Sequence, residues 1–390
     1  MLEPAGSFRS IGMGGIGIAL RDNNSIYFSN PASYTSIDTN SFVFDFGLDY
    51  SINLLREGDN HYYSDDMNFD HMLMGFPLTK RIGVATGIIP FSDGYYKISR
   101  SVLEGDPGYD PVTGAYTSIH QGEGGLTSFF VGTGIDLTRH LSAGINMTIL
   151  FGQITRTNQY IFADYNVFHD KNTEQLQMNG INLDYGIQYS TSIKKSYFFN
   201  AGASFTAEKH YKSNYENLTL RYTAYGAHTQ DTLLYSTDSR KALLPATLRF
   251  GISFGKTNKY TAGIDYITSN WSRAKIHGTE GYLTSSRSVL FGFELIPDRY
   301  SNYSFVKRIG YRLGGHYEDS YLIINGEQIK EIGMSIGFGF PMPRTPSKAN
   351  LFIDYTRKSG SSANLHTENY FTMGISLNLY DFWFLKQKYE

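Results

Sequence analysis

The chain has 390 residues, 18% of them charged, and a formal net charge of −2, which leaves no electrostatic footprint for nucleic acid or another polyanion. It contains no cysteine, so disulfides, thiol nucleophiles and thiolate metal sites are excluded. Aromatic residues reach 15%, with 31 Tyr, 27 Phe, 40 Gly and only 11 Pro, a composition of strands and tight turns rather than helices.

No run approaches the roughly 18 apolar residues of a membrane-spanning helix. The mean hydropathy of −0.31 resembles that of a soluble protein. In a β-barrel, however, lumen-facing polar residues cancel lipid-facing apolar ones, and only a closed barrel satisfies a non-helical backbone in lipid.

Residues 1–40 lack strand alternation. They hold Gly12-Met13-Gly14-Gly15-Ile16-Gly17, which spells the dinucleotide-binding pattern G-x-G-x-x-G. That chemistry needs a preceding strand, a following helix and a distant acidic residue. Here Arg21-Asp22-Asn23-Asn24 follows almost at once, so the stretch reads as a tight glycine-rich segment.

From residue 41 onward, apolar and polar residues alternate with period two. Phe42, Phe44, Phe46 and Leu48 against Val43, Asp45, Gly47 and Asp49 is one instance; Ile332, Met334, Ile336 and Phe338 against Gly333, Ser335, Gly337 and Gly339 is another. Fourteen such segments follow in order: 41–55, 67–78, 80–101, 124–138, 140–158, 176–193, 196–213, 243–255, 259–276, 286–297, 307–323, 328–341, 347–358 and 367–383. Their number is even, as a single-chain bacterial barrel requires. Short links at Thr79-Lys80, Thr138-Arg139, Lys194-Lys195 and Gly255–Lys259 alternate with long polar links at 56–66, 102–123, 159–175, 214–242 and 277–285. Short turns on one side and long loops on the other are the signature of a transmembrane barrel. The tight Asn325-Gly326 hairpin is an exception on the long-loop side.

The inward face is rich in glycine, including Gly47, Gly144, Gly186, Gly202, Gly251, Gly263, Gly337, Gly339 and Gly374. Glycine weakens a strand unless other backbone approaches closely, and residues 1–40 are the available candidate. The expected fold is therefore all-β: an antiparallel transmembrane barrel of about fourteen strands, with 1–40 as a plug (hatch) inside 41–390. Pro90 falls mid-strand, where it removes a ladder donor and forces a bulge, kink or edge.

Nothing points to catalysis, a metal or a cofactor. Gly251–Thr257 lacks one residue of a P-loop and turns into another strand. His61 with Asp65 and Asp66, His169 with Asp170, His120 with Glu123, and His316 with Glu318 lack any metal-site or catalytic spacing. Trp271, Trp383, Tyr62-Tyr63, Tyr95-Tyr96 and Tyr380–Phe384 lie at strand ends, where interfacial aromatic girdles are expected. The alternation turns Val43, Phe130, Leu150, Phe198 and Ile267 inward as candidate contacts for a hydrophobic ligand; packing against the plug is the alternative. No signal peptide is visible before Glu3-Pro4-Ala5, so the sequence is expected to be mature or truncated.

Ser10–Leu20 and Asn30-Pro31-Ala32 resemble the start of FadL-type outer-membrane proteins, the long-chain fatty acid and hydrocarbon transporters. Gly87–Tyr95, Gly122–Leu126, Leu244–Leu248, Asp265-Tyr266 and Asn270-Trp271-Ser272 extend the resemblance along most of the chain. Tyr311–Gly315 and Asp381–Phe384 are most similar to a branch common in Bacteroidetes. The end, Tyr389-Glu390, departs from the usual final Phe, a role left to Phe384. The resemblance implies an N-terminal hatch built on Gly12, Gly14, Gly15, Asn30, Pro31 and Ala32. It also implies a kinked third strand at Pro90 that opens sideways, and passive transport of a hydrophobic small molecule. It places the chain in the outer membrane among its lipids, with both termini periplasmic. The branch also contains accessory barrels of secretion and envelope machines, so a scaffold with outer-membrane or periplasmic partner subunits is the alternative.

Overall fold

A computed structural model describes residues 6–57, 60–194, 196–223, 230–277, 279, 281–360 and 367–382. Trp383, Phe384 and the terminal Tyr389-Glu390 lie outside the described residues, as do residues 1–5 and Lys195. Fourteen antiparallel strands form the wall. They are β1 (Ser41–Glu57), β2 (Asn60–Thr79), β3 (Ile82–Asp93 with Tyr96–Val102), β4 (Tyr116–Asp136), β5 (Leu141–Phe162), β6 (His169–Ile193) and β7 (Tyr197–Thr206 with Lys209–Tyr222). β8 (Gln230–Leu244 with Thr247–Lys256), β9 (Tyr260–Asn270), β10 (Ser285–Leu295), β11 (Gly310–Ile324), β12 (Glu327–Pro341), β13 (Lys348–Ser359) and β14 (Thr367–Phe382) complete it. β3, β7 and β8 are each interrupted once, and both halves of β3 and β7 pair with one continuous neighbour. β1 pairs with β2 and with β14, which closes the ring.

The alternation seen in sequence becomes a two-faced wall. Outward residues such as Phe250 (50% exposed), Phe291 (55%), Ile336 (49%) and Ile375 (61%) present an apolar surface to lipid, whereas Ser253, Asp265, Ser335 and Asn378 on the other face are buried. β9 and β10 have 11 residues each, close to the minimum of about 9–11 for a tilted membrane crossing. β6 has 25 residues, so more than half of it rises beyond the membrane.

This corrects the expected loops. Most of 56–66, 159–175 and 214–242 is strand, not loop. Above the membrane both faces of a strand meet water, so alternation fades while the ladder continues. Conversely, the ninth segment ends early: at Trp271 the chain leaves the ladder as a 3-10 turn, Trp271–Arg273. Asn325 and Gly326 both have positive φ (52° and 81°), as a two-residue hairpin with right-handed strand twist demands.

The described part of the N-terminal segment runs inside this ring. It has only a short helix, Phe8–Ile11, and a 3-10 turn, Pro31–Ser36. Its inside position follows from its contacts, because it touches every strand. A Cβ at Gly83, Gly134, Gly144, Gly186, Gly202, Gly251, Gly263, Gly292, Gly314, Gly337 or Gly374 would run into atoms of residues 12–35 or Phe8. Gly47 and Gly75 meet Phe8, Ile26 and Ile37 in the same way, and Phe352 of β13 packs on Phe8 at 4.6 Å. Many of these glycines are direct cross-strand neighbours: Gly83, Gly134, Gly144 and Gly186 form one row, and Gly263, Gly292 and Gly314 another. Glycine removes the Cβ layer, so backbone meets backbone at those rows. Gly339 alone among the nine inward glycines picked from sequence faces other partners, Arg312 and Asn350.

Gly144→Val is therefore expected to lower the urea midpoint of the detergent-folded barrel, by an amount corresponding to about 1–3 kcal/mol. It should also expose residues 6–40 to protease, while Gly310→Ala, whose nearest neighbour is 3.4 Å from the added carbon, should leave both unchanged.

Candidate functional site

Reading the inner face from the long-loop end toward the short turns reveals three layers. β6 presents Met178, Gly180, Asn182, Asp184 and Gly186 in turn; β5 presents Leu150, Thr148, Asn146 and Gly144. The first layer is an apolar cluster of Leu126, Leu150, Met178, Tyr211, Ala242, Leu244 and Trp271, joined by Phe91 and Tyr321. Trp271 is thus not a girdle residue: it is 9% exposed and stacks near Tyr321 at 5.0 Å, because the 3-10 turn swings it into the lumen. Tyr380 is likewise inside, 6% exposed, on the same face as Asn378 and Ser376, with its hydroxyl on Asp38 at 3.2 Å.

The second layer is polar. Thr148 and Thr206 each donate to Asp184 at 2.7 Å, and Arg249 donates to Thr206 Oγ1 at 2.8 Å. Among the described residues no carboxylate lies within ion-pairing distance of Arg249. Its direct cross-strand neighbour is Ile267.

The third layer is the N-terminal segment. Asp265 accepts hydrogen bonds from the Gly17 and Ile18 amides at 2.7 and 2.9 Å, which holds the chain end-on to β9. Glu294 takes Arg9 (2.5 Å) and Arg312 (2.8 Å), and Arg9 also reaches Tyr27 and Asp22. Burial opposes ionisation of Asp22, but Arg9 and Lys348 beside it outweigh that and hold its carboxyl below the ordinary value. On the opposite wall Arg21 bonds Ser142 at 2.8 Å, Thr35 at 2.5 Å and Asp136 at 3.4 Å.

The sequence-selected N-terminal residues fall in this layer. Gly14 and Gly15 have positive φ (71° and 87°), and Gly12 sits 3.0 Å from Gly337 Cα, measured from the carbon a side chain would begin with. Asn30 is fully buried: its carbonyl caps Ala32 N–H at 3.2 Å, and its amide donates to Ile18 O at 2.9 Å and to Ile187 O of β6 at 3.2 Å. Pro31 presses its carbonyl on Gly134 and Gly144, and Ala32 has no exposed surface.

The five ligand candidates do not converge. Val43 and Phe130 pack with Ile26, Tyr34, Ile37, Leu73 and Ile89 against the N-terminal segment. Leu150 belongs to the upper apolar cluster. Phe198 lies by Gly255 near the short-turn end, and Ile267 joins the polar layer. Sequence reasoning missed Phe91, Leu126, Met178, Tyr211 and Arg249, which no local spacing distinguishes. His120 bonds Asn158 (2.7 Å), His169 caps Phe162 N–H (3.1 Å), Glu318 takes Ser288 (2.8 Å), and His316 bonds Thr356 (3.0 Å) and lies 3.9 Å from Asp354 rather than pairing with Glu318. No group of three His, Cys, Asp or Glu able to hold a metal exists among the described residues, and the side chain of His61 lies outside them.

The wall itself is incomplete on one side of β3. β2 pairs with β3 only from Thr79–Ile82 up to Met72–Ile88. Beyond that point β2 continues to pair with β1, and β3 with β4, but not with each other. The register against β4 shifts between Pro90 and Ser92, and the strand breaks at Gly94-Tyr95. Ile89 below this point belongs to the lower apolar cluster and Phe91 to the upper one.

A family model described as BamG matches residues 2–390. The chain belongs to the BamG family. No curated protein sequence matches it. Solved structures with the same fold include the toluene transporter TbuX of Ralstonia pickettii (14% identity, TM-score 0.62, covering 96% of this chain and 98% of that one). A FadL homologue of Pseudomonas aeruginosa (11%, 0.63, 98% and 99%) and the monoaromatic hydrocarbon channel CymD (14%, 0.62, 96% and 97%) are also similar. This BamG-family chain is thus a fourteen-stranded antiparallel barrel with the FadL-like fold of outer-membrane channels.

Glu294→Gln removes the carboxylate that pairs with Arg312 and leaves Arg9 with Asp22 alone, which is expected to cost about 3–5 kcal/mol. It should free residues 6–40 for proteolysis in an otherwise folded barrel. Because the Asp22 carboxyl is held low, its anchoring is present above the unfolded value near 4 and lost only on further acidification. Pepsin accessibility of the segment should therefore stay low at about pH 4 and rise toward pH 2.

Proposed function

We propose that this barrel conducts hydrophobic small molecules passively, from the long-loop side through the apolar cluster and out sideways between β2 and β3. The observation that carries this reading is Phe91. It lies in the bulge beside Pro90, on the part of β3 that β2 leaves unpaired, and packs into the upper apolar cluster. In this reading Phe91 is the gate between the chamber and the lipid. Burial of an alkyl chain gains about 0.8 kcal/mol per methylene, so capture needs no energy source. The short turns face the periplasm and the long hairpins the exterior, the usual orientation of such barrels. Gly12 to Ala32 serves as the hatch, and Pro90 marks the lateral exit. Arg249 is available for a carboxylate headgroup, so fatty acid-like ligands fit as well as neutral hydrocarbons.

A second reading rests on β8. Above the Leu243–Lys275 bridge, its Gln230–Leu244 half pairs, among the described residues, only with β7, and Leu233, Leu234 and Tyr235 on it are 46–60% exposed. An open edge of this kind accepts a partner strand, which fits an accessory barrel of an outer-membrane assembly.

Uptake of labelled oleate and of toluene into proteoliposomes separates the two. Phe91→Ala is expected to raise uptake of both, and Phe91→Trp to reduce it, with heat-modifiable migration unchanged. Arg249→Met should slow oleate alone by roughly tenfold, the loss of one charged hydrogen bond. Uptake no faster than empty liposomes in every variant, together with stoichiometric partner proteins in mild detergent, would favour the scaffold.

A further inference from the structure

The six turns at the short-turn end of the barrel are all cationic. Each holds Lys or Arg: Lys80, Arg139, Lys194, Lys259, Arg299 and Arg344 mark one in each. Asp298 is the one carboxylate in 79–81, 137–140, 194–196, 257–259, 296–309 and 342–347, although the chain as a whole is net negative. Among the described residues none of the six takes part in an ion pair.

The turn 296–309 differs from the other five. It is long, and it exposes Tyr300 (73%), Tyr303 (102%), Phe305 (46%) and Val306 (61%) next to Lys307 and Arg308. It does not hang beneath the lumen. Tyr311, on the outward face of β11 with the exposed Leu313, donates its hydroxyl to Val306 O at 3.0 Å. Arg299 donates to Asn258 Oδ1 at 2.6 Å, and Asn258 to the Tyr300 hydroxyl at 3.0 Å, tying the turn along the rim to its neighbour. It is continuous with an outward aromatic belt, where Tyr260 stacks on Phe293 and Tyr197 on Phe254, with Lys256 over Tyr197 at 5.6 Å.

We propose that turn 296–309 is a membrane-interface anchor that inserts its aromatic side chains at headgroup depth and binds anionic phospholipid through Lys307 and Arg308. Aromatic rings with an apolar body and polar tip partition to that depth, and cations at the surface attract anionic headgroups. A protein capping the lumen would need the turn to point inward; its bonds to Tyr311 and Asn258 hold it on the lipid side instead. The proposal needs only the barrel and does not depend on transport.

The absence of cysteine makes the test direct. Tyr303→Cys in the full chain, labelled with an environment-sensitive nitrobenzoxadiazole, is placed in phosphatidylcholine nanodiscs with and without phosphatidylglycerol. A blue-shifted emission, quenched by lipids carrying a headgroup-proximal nitroxide, is expected. In the unlabelled chain, Lys307→Gln with Arg308→Gln should reduce the preference for co-purifying phosphatidylglycerol over phosphatidylcholine by about 30-fold. Heat-modifiable migration confirms folding of each variant. Water-like emission insensitive to the nitroxide lipid, emission that shifts only when another protein is added, or an unchanged lipid preference in the double variant would overturn the proposal.

Discussion

The structure depends on the direct approach of the N-terminal backbone to glycine rows on the barrel wall. A fourteen-stranded ring is too wide to be filled by its own side chains, and water or another occupant must take the space. Here an internal segment with little regular structure does so. Such a segment carries many backbone polar groups, and each must find a partner when buried. Glycines at Gly134, Gly144, Gly202, Gly292 and Gly314 bring wall and segment into direct contact, while the side chains of Asp265, Gln188, Ser253 and Ser335 on the wall and of Asn30 on the segment supply the hydrogen bonds between them.

Charge then holds the segment in place from two sides. Arg9, Asp22, Glu294 and Arg312 join it to β10 and β11, while Arg21 joins it to β4, β5 and β6. Buried ionic groups contribute little net stability against apolar replacements but penalise misplacement heavily. They therefore fix register more than they add strength. The lower apolar cluster, in which Ile26, Tyr34 and Ile37 meet Val43, Leu73 and Phe130, provides the non-directional part of the attachment.

Above this floor the wall is least regular. β3 is bulged and unpaired toward β2, β7 and β8 break side by side, and β9 ends in a 3-10 turn. The residues exposed by these departures, Phe91, Tyr211, Leu244 and Trp271, turn inward and gather into one apolar cluster. Irregularity in the wall thus contributes to the apolar chamber, which Leu150 and Met178 of the unbroken β5 and β6 complete by ordinary in-out alternation.

The amino-acid sequence by itself determined the barrel, its fourteen strands, the inward glycines and the proline in β3, because period-two alternation and proline's missing donor act within a few residues. Even the tight Asn325-Gly326 turn was readable, since its φ requirement is local. The height of the hairpins was not, because strands above the membrane are polar on both faces and look like loops. The aromatic girdle was misassigned at Trp271 and Tyr380 for a related reason: a strand-end ring has the same local pattern whether it faces lipid or lumen. Only the tertiary structure decided that Arg9 meets Glu294 across 285 positions, that Phe91 joins Met178 and Trp271, and that turn 296–309 lies on the outer rim. Those contacts depend on closure of the ring, and closure is set by the pairing of β1 with β14, the two strands farthest apart in the chain.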